Sequence, residues 1–221
     1  LIDEQIAGGT AAIIICGTTG ESATMSLEEH IETVDFCTKY VNGRVKVIAG
    51  SGSNDTMAAL ALSQEAEKSK ADALLLVTPY YNKTTQKGLI EHYTYIADRV
   101  NTPIILYNVP GRTGVSIAAD TYKVLSRHPM INGVKEASGN FSLIASILAH
   151  CGDDLNVWSG NDDQTVAMMA LGAKGVISVA ANVVPQIMAE MTKACLEGNF
   201  KRGAELQLKY FELCDKLFVE V

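Results

Sequence analysis

Five short segments carry side chains whose chemistry depends on where they sit. Ile131-Asn132-Gly133-Val134-Lys135-Glu136 is a largely apolar run with a lysine at its end, and Pro103-Ile104-Ile105-Leu106-Tyr107 ends on a tyrosine. Ala12-Ile13-Ile14-Ile15-Cys16 leads into Gly17-Thr18-Thr19-Gly20-Glu21, Thr78-Pro79-Tyr80-Tyr81 closes another apolar run, and Pro110-Gly111-Arg112-Thr113-Gly114 follows Tyr107. A neutral lysine amine attacks carbonyl carbon, but at an ordinary pKa of ~10.4 fewer than about one lysine in a thousand is neutral at pH 7. An apolar pocket that lowers the pKa by ~2–3 would recover most of that factor. A tyrosine beside the amine can move protons, and an arginine fork can pair with a carboxylate. Glycines at 17 and 20 let backbone N–H groups approach an anion. Each feature also has a plainer reading. These are a lysine snorkelling from the sheet, a tyrosine filling core or interface, a solvated loop arginine and a tight strand-to-helix turn.

The elements that would position these groups can be read from hydrophobic patterning. Near-continuous apolar runs occupy 12–16, 45–49, 73–77, 103–107, 132–135, 156–159 and 175–178. Continuous rather than alternating hydrophobicity indicates strands buried on both faces, as in a parallel sheet. Helical patterns lie between them. Ser26-Leu27-Glu28-Glu29 reads as a capping box, Asn54 as the cap of a helix through Ser69, and Ser116 as the cap of one through Arg127. Asn42-Gly43 and Cys151-Gly152 read as stops, and 85–100, 140–150, 162–171 and 183–197 as further helices.

The pattern predicts an α/β fold, a (β/α)8 TIM barrel lacking its first strand and most of a C-terminal helical segment. The barrel would occupy residues 1–198, and 199–221 would begin the helical segment. The runner-up is an open doubly wound sheet, for which Gly50-Ser51-Gly52 is a weak nucleotide signal because Asp55 replaces the third glycine. In such barrels chemistry collects at the C-terminal ends of strands. This separates Lys135 at the top from Lys46 and Lys174, which precede or open their strands and should be solvated.

Bulk composition narrows the function classes. The chain has 221 residues, 48% hydrophobic and 19% charged, with a net charge of −7, which argues against a nucleic-acid partner. No apolar run reaches the ~18 residues of a membrane span. Five cysteines without a CxxC pair read as reduced thiols of a cytoplasmic protein. His30, His92, His128 and His150 are widely spaced and form no metal motif, so they read as exposed or capping residues.

Gly17-Thr18-Thr19-Gly20-Glu21-Ser22, Thr78-Pro79-Tyr80-Tyr81-Asn82, Tyr107-Asn108-Val109-Pro110, Gly111-Arg112-Thr113-Gly114 and Gly133-Val134-Lys135-Glu136 occur in that order. They resemble the motifs of the dihydrodipicolinate synthase family, in the N-acetylneuraminate lyase group of Schiff-base aldolases. The resemblance runs from the first residues to about position 200. It implies condensation of pyruvate with L-aspartate 4-semialdehyde to 4-hydroxy-tetrahydrodipicolinate, in lysine and diaminopimelate biosynthesis, with no cofactor beyond the covalent imine. Lys135 would form that imine, Tyr107 would shuttle protons, and Thr18 and Tyr81 would relay them, Tyr81 from a neighbouring subunit. The resemblance therefore also implies a homo-oligomer, a dimer or a tetramer. Thr19 and Gly20 would hold the pyruvate carboxylate, Arg112 would bind the semialdehyde carboxylate, and Gly160 and Ile177 would line the pocket.

Ser22, Ala23, His30, Asn54 and Tyr80 match a regulatory lysine site of the family. Ala58 replaces its acidic residue and Leu27 a polar one, so weak or absent feedback is expected. Thr18, Thr19 and Arg112 favour the synthase over sibling aldolases that cleave sialate or keto-deoxy-gluconate. A catalytically silent barrel remains the third alternative.

Overall fold

Apolar runs that cannot face water on either side become strands covered on both faces. The computed structural model describes residues 1–220. Its strands are β1 (Ala12–Ile15), β2 (Lys46–Gly50), β3 (Ala73–Val77), β4 (Ile104–Asn108), β5 (Ile131–Glu136) and β6 (Asn156–Ser159), in one parallel sheet. The spatial order is β1-β2-β3-β4-β5-β6, so every strand lies beside its predecessor. That is the one-way winding of a TIM-barrel-like α/β fold, and it rules out the doubly wound sheet, whose order reverses midway.

The expected seventh strand at 175–178 is instead a single parallel bridge from Ser159 to Val176. The chain does continue β6's edge, since Ile177 N donates to Ser159 O at 2.8 Å. It then leaves the ladder because the next amides, of Val179 and Ala180, donate to the Asp162 carboxylate, both at 2.9 Å.

The helices are α1 (Ile2–Ala7), α2 (Leu27–Val41), α3 (Thr56–Lys68), α4 (Gln86–Ala97), α5 (Pro110–Thr113), α6 (Ala119–Leu125), α7 (Phe141–Cys151), α8 (Thr165–Ala170), α9 (Pro185–Leu196), α10 (Phe200–Lys209) and α11 (Phe211–Lys216). Ser26 caps α2 by accepting from Glu29 N, and Asn42 closes it in the left-handed region at φ 49. Two expected caps move. Asp55, not Asn54, accepts from the first amides of α3. The helix expected from Ser116 starts after Ala118 without a side-chain cap, because Gln86 Oε1 accepts from Ala118 N at 2.9 Å instead. Val221, the last residue of the expected helical tail, lies outside the described residues.

Alternation along each strand splits the core in two. Ile15, Val47, Leu74, Leu76, Ile104, Leu106, Val134 and Val157 pack outward against the helices. Leu75, Ile105 and Tyr107 face the opposite way and meet Ile14, Ile48, Trp158 and Ile177. A one-residue slip would exchange these two sets, so burial on both faces fixes the register. Gly50 and Gly52, the weak nucleotide signal, serve packing: a Cβ at either would run into the backbone at Cys16 or Val77.

Candidate active site

The register places Tyr107 opposite Lys135, and Lys135 opposite Trp158. Residues opposed in register point to the same face, so the lysine stands on the inner, apolar face beside the phenol. Its Nζ lies 4.3 Å from the centroid of the Tyr107 ring. Lys46 and Lys174 are exposed, and Lys46 pairs with Asp72 at 2.7 Å, which agrees with their expected place at the far end. Gly160 explains how the lysine fits. A Cβ there would sit 3.2 Å from Lys135 Cε and 2.6 Å from Ala137 Cβ, so the end of β6 has room only for hydrogen.

This setting changes both titrating groups. Burial lowers the Lys135 amine to about 8, with the Asp162 carboxylate pulling it up and the Arg112 guanidinium pushing it further down. Desolvation penalises the charged ammonium, which is the direction an amine nucleophile requires. Burial raises the Tyr107 phenol above its ordinary value, against smaller lowering effects from Arg112 and from hydrogen bonding to Thr18. Burial outweighs hydrogen bonding here, so Tyr107 stays a neutral O–H able to donate a proton and take one back.

Lys135, Tyr107, Thr18, Arg112, Gly160 and Ile177 thus share one environment. Thr19 and Gly20 lie on the same 3-10 turn as Thr18 and are exposed. Tyr81 is 90% exposed, with its backbone held at φ 70. Ser22 and Ala23 form the next 3-10 turn, and Tyr80 is on the surface. Asn54 lines a cavity of about 310 Å³ with Thr56, Asn82, Glu91, His92 and Tyr95.

Two histidines correct the sequence reading. His30 is buried, with Nε2 2.7 Å from Gly50 O. His92 is buried beside Thr56, 2.8 Å from its hydroxyl, and burial pushes it down to about 4. Among the described residues no group of three His, Cys, Asp or Glu side chains is arranged to hold a metal ion. Nor is any helix among them long and apolar enough to cross a membrane.

Sequence reasoning missed Asp162. It is 3% exposed, its Oδ2 accepts the amides of Val179 and Ala180, and Gln207 Nε2 donates to its backbone oxygen at 2.6 Å. The available signal was an aspartate just beyond the end of a buried strand, at Ser159-Gly160-Asn161-Asp162.

The model of the dihydrodipicolinate synthetase family matches residues 1–221. The chain belongs to the dihydrodipicolinate synthetase family. Within it, the 4-hydroxy-tetrahydrodipicolinate synthase of Geobacter sulfurreducens is 50% identical over 220 residues, covering 100% of this chain and 76% of that protein. The crystal structure of dihydrodipicolinate synthase from Aquifex aeolicus aligns with a TM-score of 0.97 at 46% identity, over 100% of this chain and 75% of that one. A structure described as the first monomeric dihydrodipicolinate synthase variant aligns with a TM-score of 0.97 at 40% identity, again over 100% and 75%. The chain therefore spans about three quarters of the length of these family members.

Proposed function

We propose that this chain is a Schiff-base lyase that condenses pyruvate with L-aspartate 4-semialdehyde to 4-hydroxy-tetrahydrodipicolinate, the activity for which its 50% identical relative is named. The observation that carries the mechanism is a lysine amine lowered to about 8, on an apolar face, 4.3 Å from the ring of a neutral phenol.

Neutral Lys135 attacks the pyruvate C2 carbonyl, and the carbinolamine loses water to give an iminium. The iminium withdraws electrons from the methyl carbon, which loses a proton and becomes a nucleophilic enamine. That carbon adds to the semialdehyde carbonyl. The semialdehyde amine then attacks C2, Lys135 leaves as a free amine and the ring closes, with one water released overall. Tyr107 carries the protons that these steps exchange, and Thr18 orients its hydroxyl. Thr19 and Gly20 present backbone N–H groups to the pyruvate carboxylate, Arg112 takes the semialdehyde carboxylate, and Gly160 and Ile177 shape the pocket between them. The imine is itself the electron sink, so the scheme needs no cofactor.

Tyr81 completes the relay in a neighbouring copy. Its side chain is 90% exposed and so stands open to contact with a second molecule. The working form is then a homo-oligomer, and sedimentation of the wild-type chain against Tyr81→Ala tests this.

The reaction is tested by supplying pyruvate with the semialdehyde and, separately, supplying sialate or a keto-deoxy sugar acid. A cyclic product one water lighter than the two substrates together supports the proposal. Cleavage of a sugar acid without that condensation would make the chain a sibling aldolase. No turnover and no imine would make it a silent barrel.

A further inference from the structure

The ladder places Asn108 opposite Glu136, the next pair along after Tyr107 and Lys135. Alternation sends this second pair to the outer side of the sheet, where both residues are 0% exposed. The other outward side chains of these strands, Ile104, Leu106 and Val134, are apolar. A buried carboxylate in that position is strongly disfavoured unless its oxygens are bonded.

They are well bonded. Asn108 Nδ2 donates to Glu136 Oε1 at 3.1 Å and to Oε2 at 2.9 Å. Tyr122 OH, on α6, donates to Oε2 at 3.0 Å, and Ser138 N donates to Oε1 at 2.7 Å. Asn108 Oδ1 accepts from Ile117 N at 3.0 Å, and Glu136 O accepts from Gly160 N at 2.8 Å.

Four segments that carry site residues are thereby joined to one of these two residues. Tyr107 precedes Asn108 and Lys135 precedes Glu136. The loop that bears Arg112 is tied down at Ile117, and Gly160 hangs from the Glu136 carbonyl. Apolar contacts are non-directional and would let the strand ends slide, whereas hydrogen bonds fix distance and angle.

We propose that Asn108, Glu136 and Tyr122 form a positioning device behind the sheet that sets the separation of the Tyr107 phenol, the Lys135 amine and the Arg112 loop. None of the three touches substrate. The inference rests on the reading of Lys135 as the imine-forming residue.

The test measures the first-order rate of imine formation at saturating pyruvate, by borohydride quench, per folded site. Glu136→Gln turns an acceptor into a donor that faces other donors. It should slow the step about 100-fold, the scale expected of ångström misplacement, with pyruvate half-saturation changed by less than about threefold. Tyr122→Phe removes one donor and keeps the ring, so it should fold and slow the step about 10-fold. A purely structural role would reduce the amount of folded protein and leave the rate per folded site alone. A parental rate in Tyr122→Phe overturns the proposal whatever Glu136→Gln does. Absence of an imine in the unsubstituted chain would sink the Lys135 reading instead, and this inference with it.

Discussion

Replacing Lys135 with methionine should stabilise the folded chain at pH 7 while abolishing imine formation. The ordinary lysine value of 10.5 falls to about 8 on folding, chiefly through burial. Below pH 8 both folded and unfolded chains carry the proton, and folding bears the whole desolvation penalty. Between pH 8 and 10.5 only the unfolded chain keeps it, so the penalty fades, and above 10.5 it is gone. The lysine's contribution to stability is thus present above 10.5 and lost as pH falls through about 8. The gap corresponds to about 3 kcal/mol, trimmed to about 2–3 kcal/mol by water at the open mouth of the site. Methionine fills similar volume without charge. Urea unfolding of the two proteins should therefore differ by about 2–3 kcal/mol at pH 7 and by less than about 1 kcal/mol at pH 10. No gain at pH 7, or a gain that does not change with pH, would refute the argument that Lys135 is held against its charge.

Gly160→Ala would force a methyl carbon to 2.6 Å from Ala137 Cβ and 3.2 Å from Lys135 Cε. It should cost about 1–3 kcal/mol in urea unfolding and slow imine trapping at least 10-fold; parental values would show that the close approach is unimportant. Arg112→Ala should raise KM for the semialdehyde by about 10-fold or more, through loss of a charge-assisted bond worth ~1.5–3 kcal/mol, while pyruvate is still trapped. The same substitution should move the acid limb of imine formation to higher pH, because the guanidinium helps hold the Lys135 amine down; an unmoved limb and unchanged KM would count against its role. Added lysine should inhibit weakly or not at all, since Ala58 offers no carboxylate to the ammonium and Leu27 is an exposed apolar side chain; inhibition at low lysine concentration in a steady-state assay would contradict this.

Much of the scaffold was legible because burial on both faces leaves a strong trace. Runs such as Leu74-Leu75-Leu76 have no polar face to offer, and a parallel sheet is where such strands belong. The Ser26 cap was equally plain, since its partner is only three residues away. Errors arose where a distant group took over a local one. The segment at 175–178 has a strand's composition, but Asp162 captures the amides that follow it. Ser116 caps nothing, and Gln86 from another helix takes the Ala118 amide where α6 begins. His92 looked like a surface residue until α3 brought Thr56 against it.

Within the site, Lys135 and Tyr107 could be found because each ends an apolar run. Asn108 and Glu136 stand one residue further on, yet their pairing across two strands shows only once the register is known. Asp162 is a similar case, since its effect on Lys135 is exerted through space.

The most direct measurement is mass spectrometry of the chain after incubation with pyruvate and borohydride, with the modified residue located by peptide mapping. The expected result is a single reduced pyruvate adduct on Lys135, forming faster as pH rises towards about 8 and levelling off above it. An adduct on another lysine, or none while the chain still turns over its substrates, would contradict the assignment of Lys135 as the nucleophile.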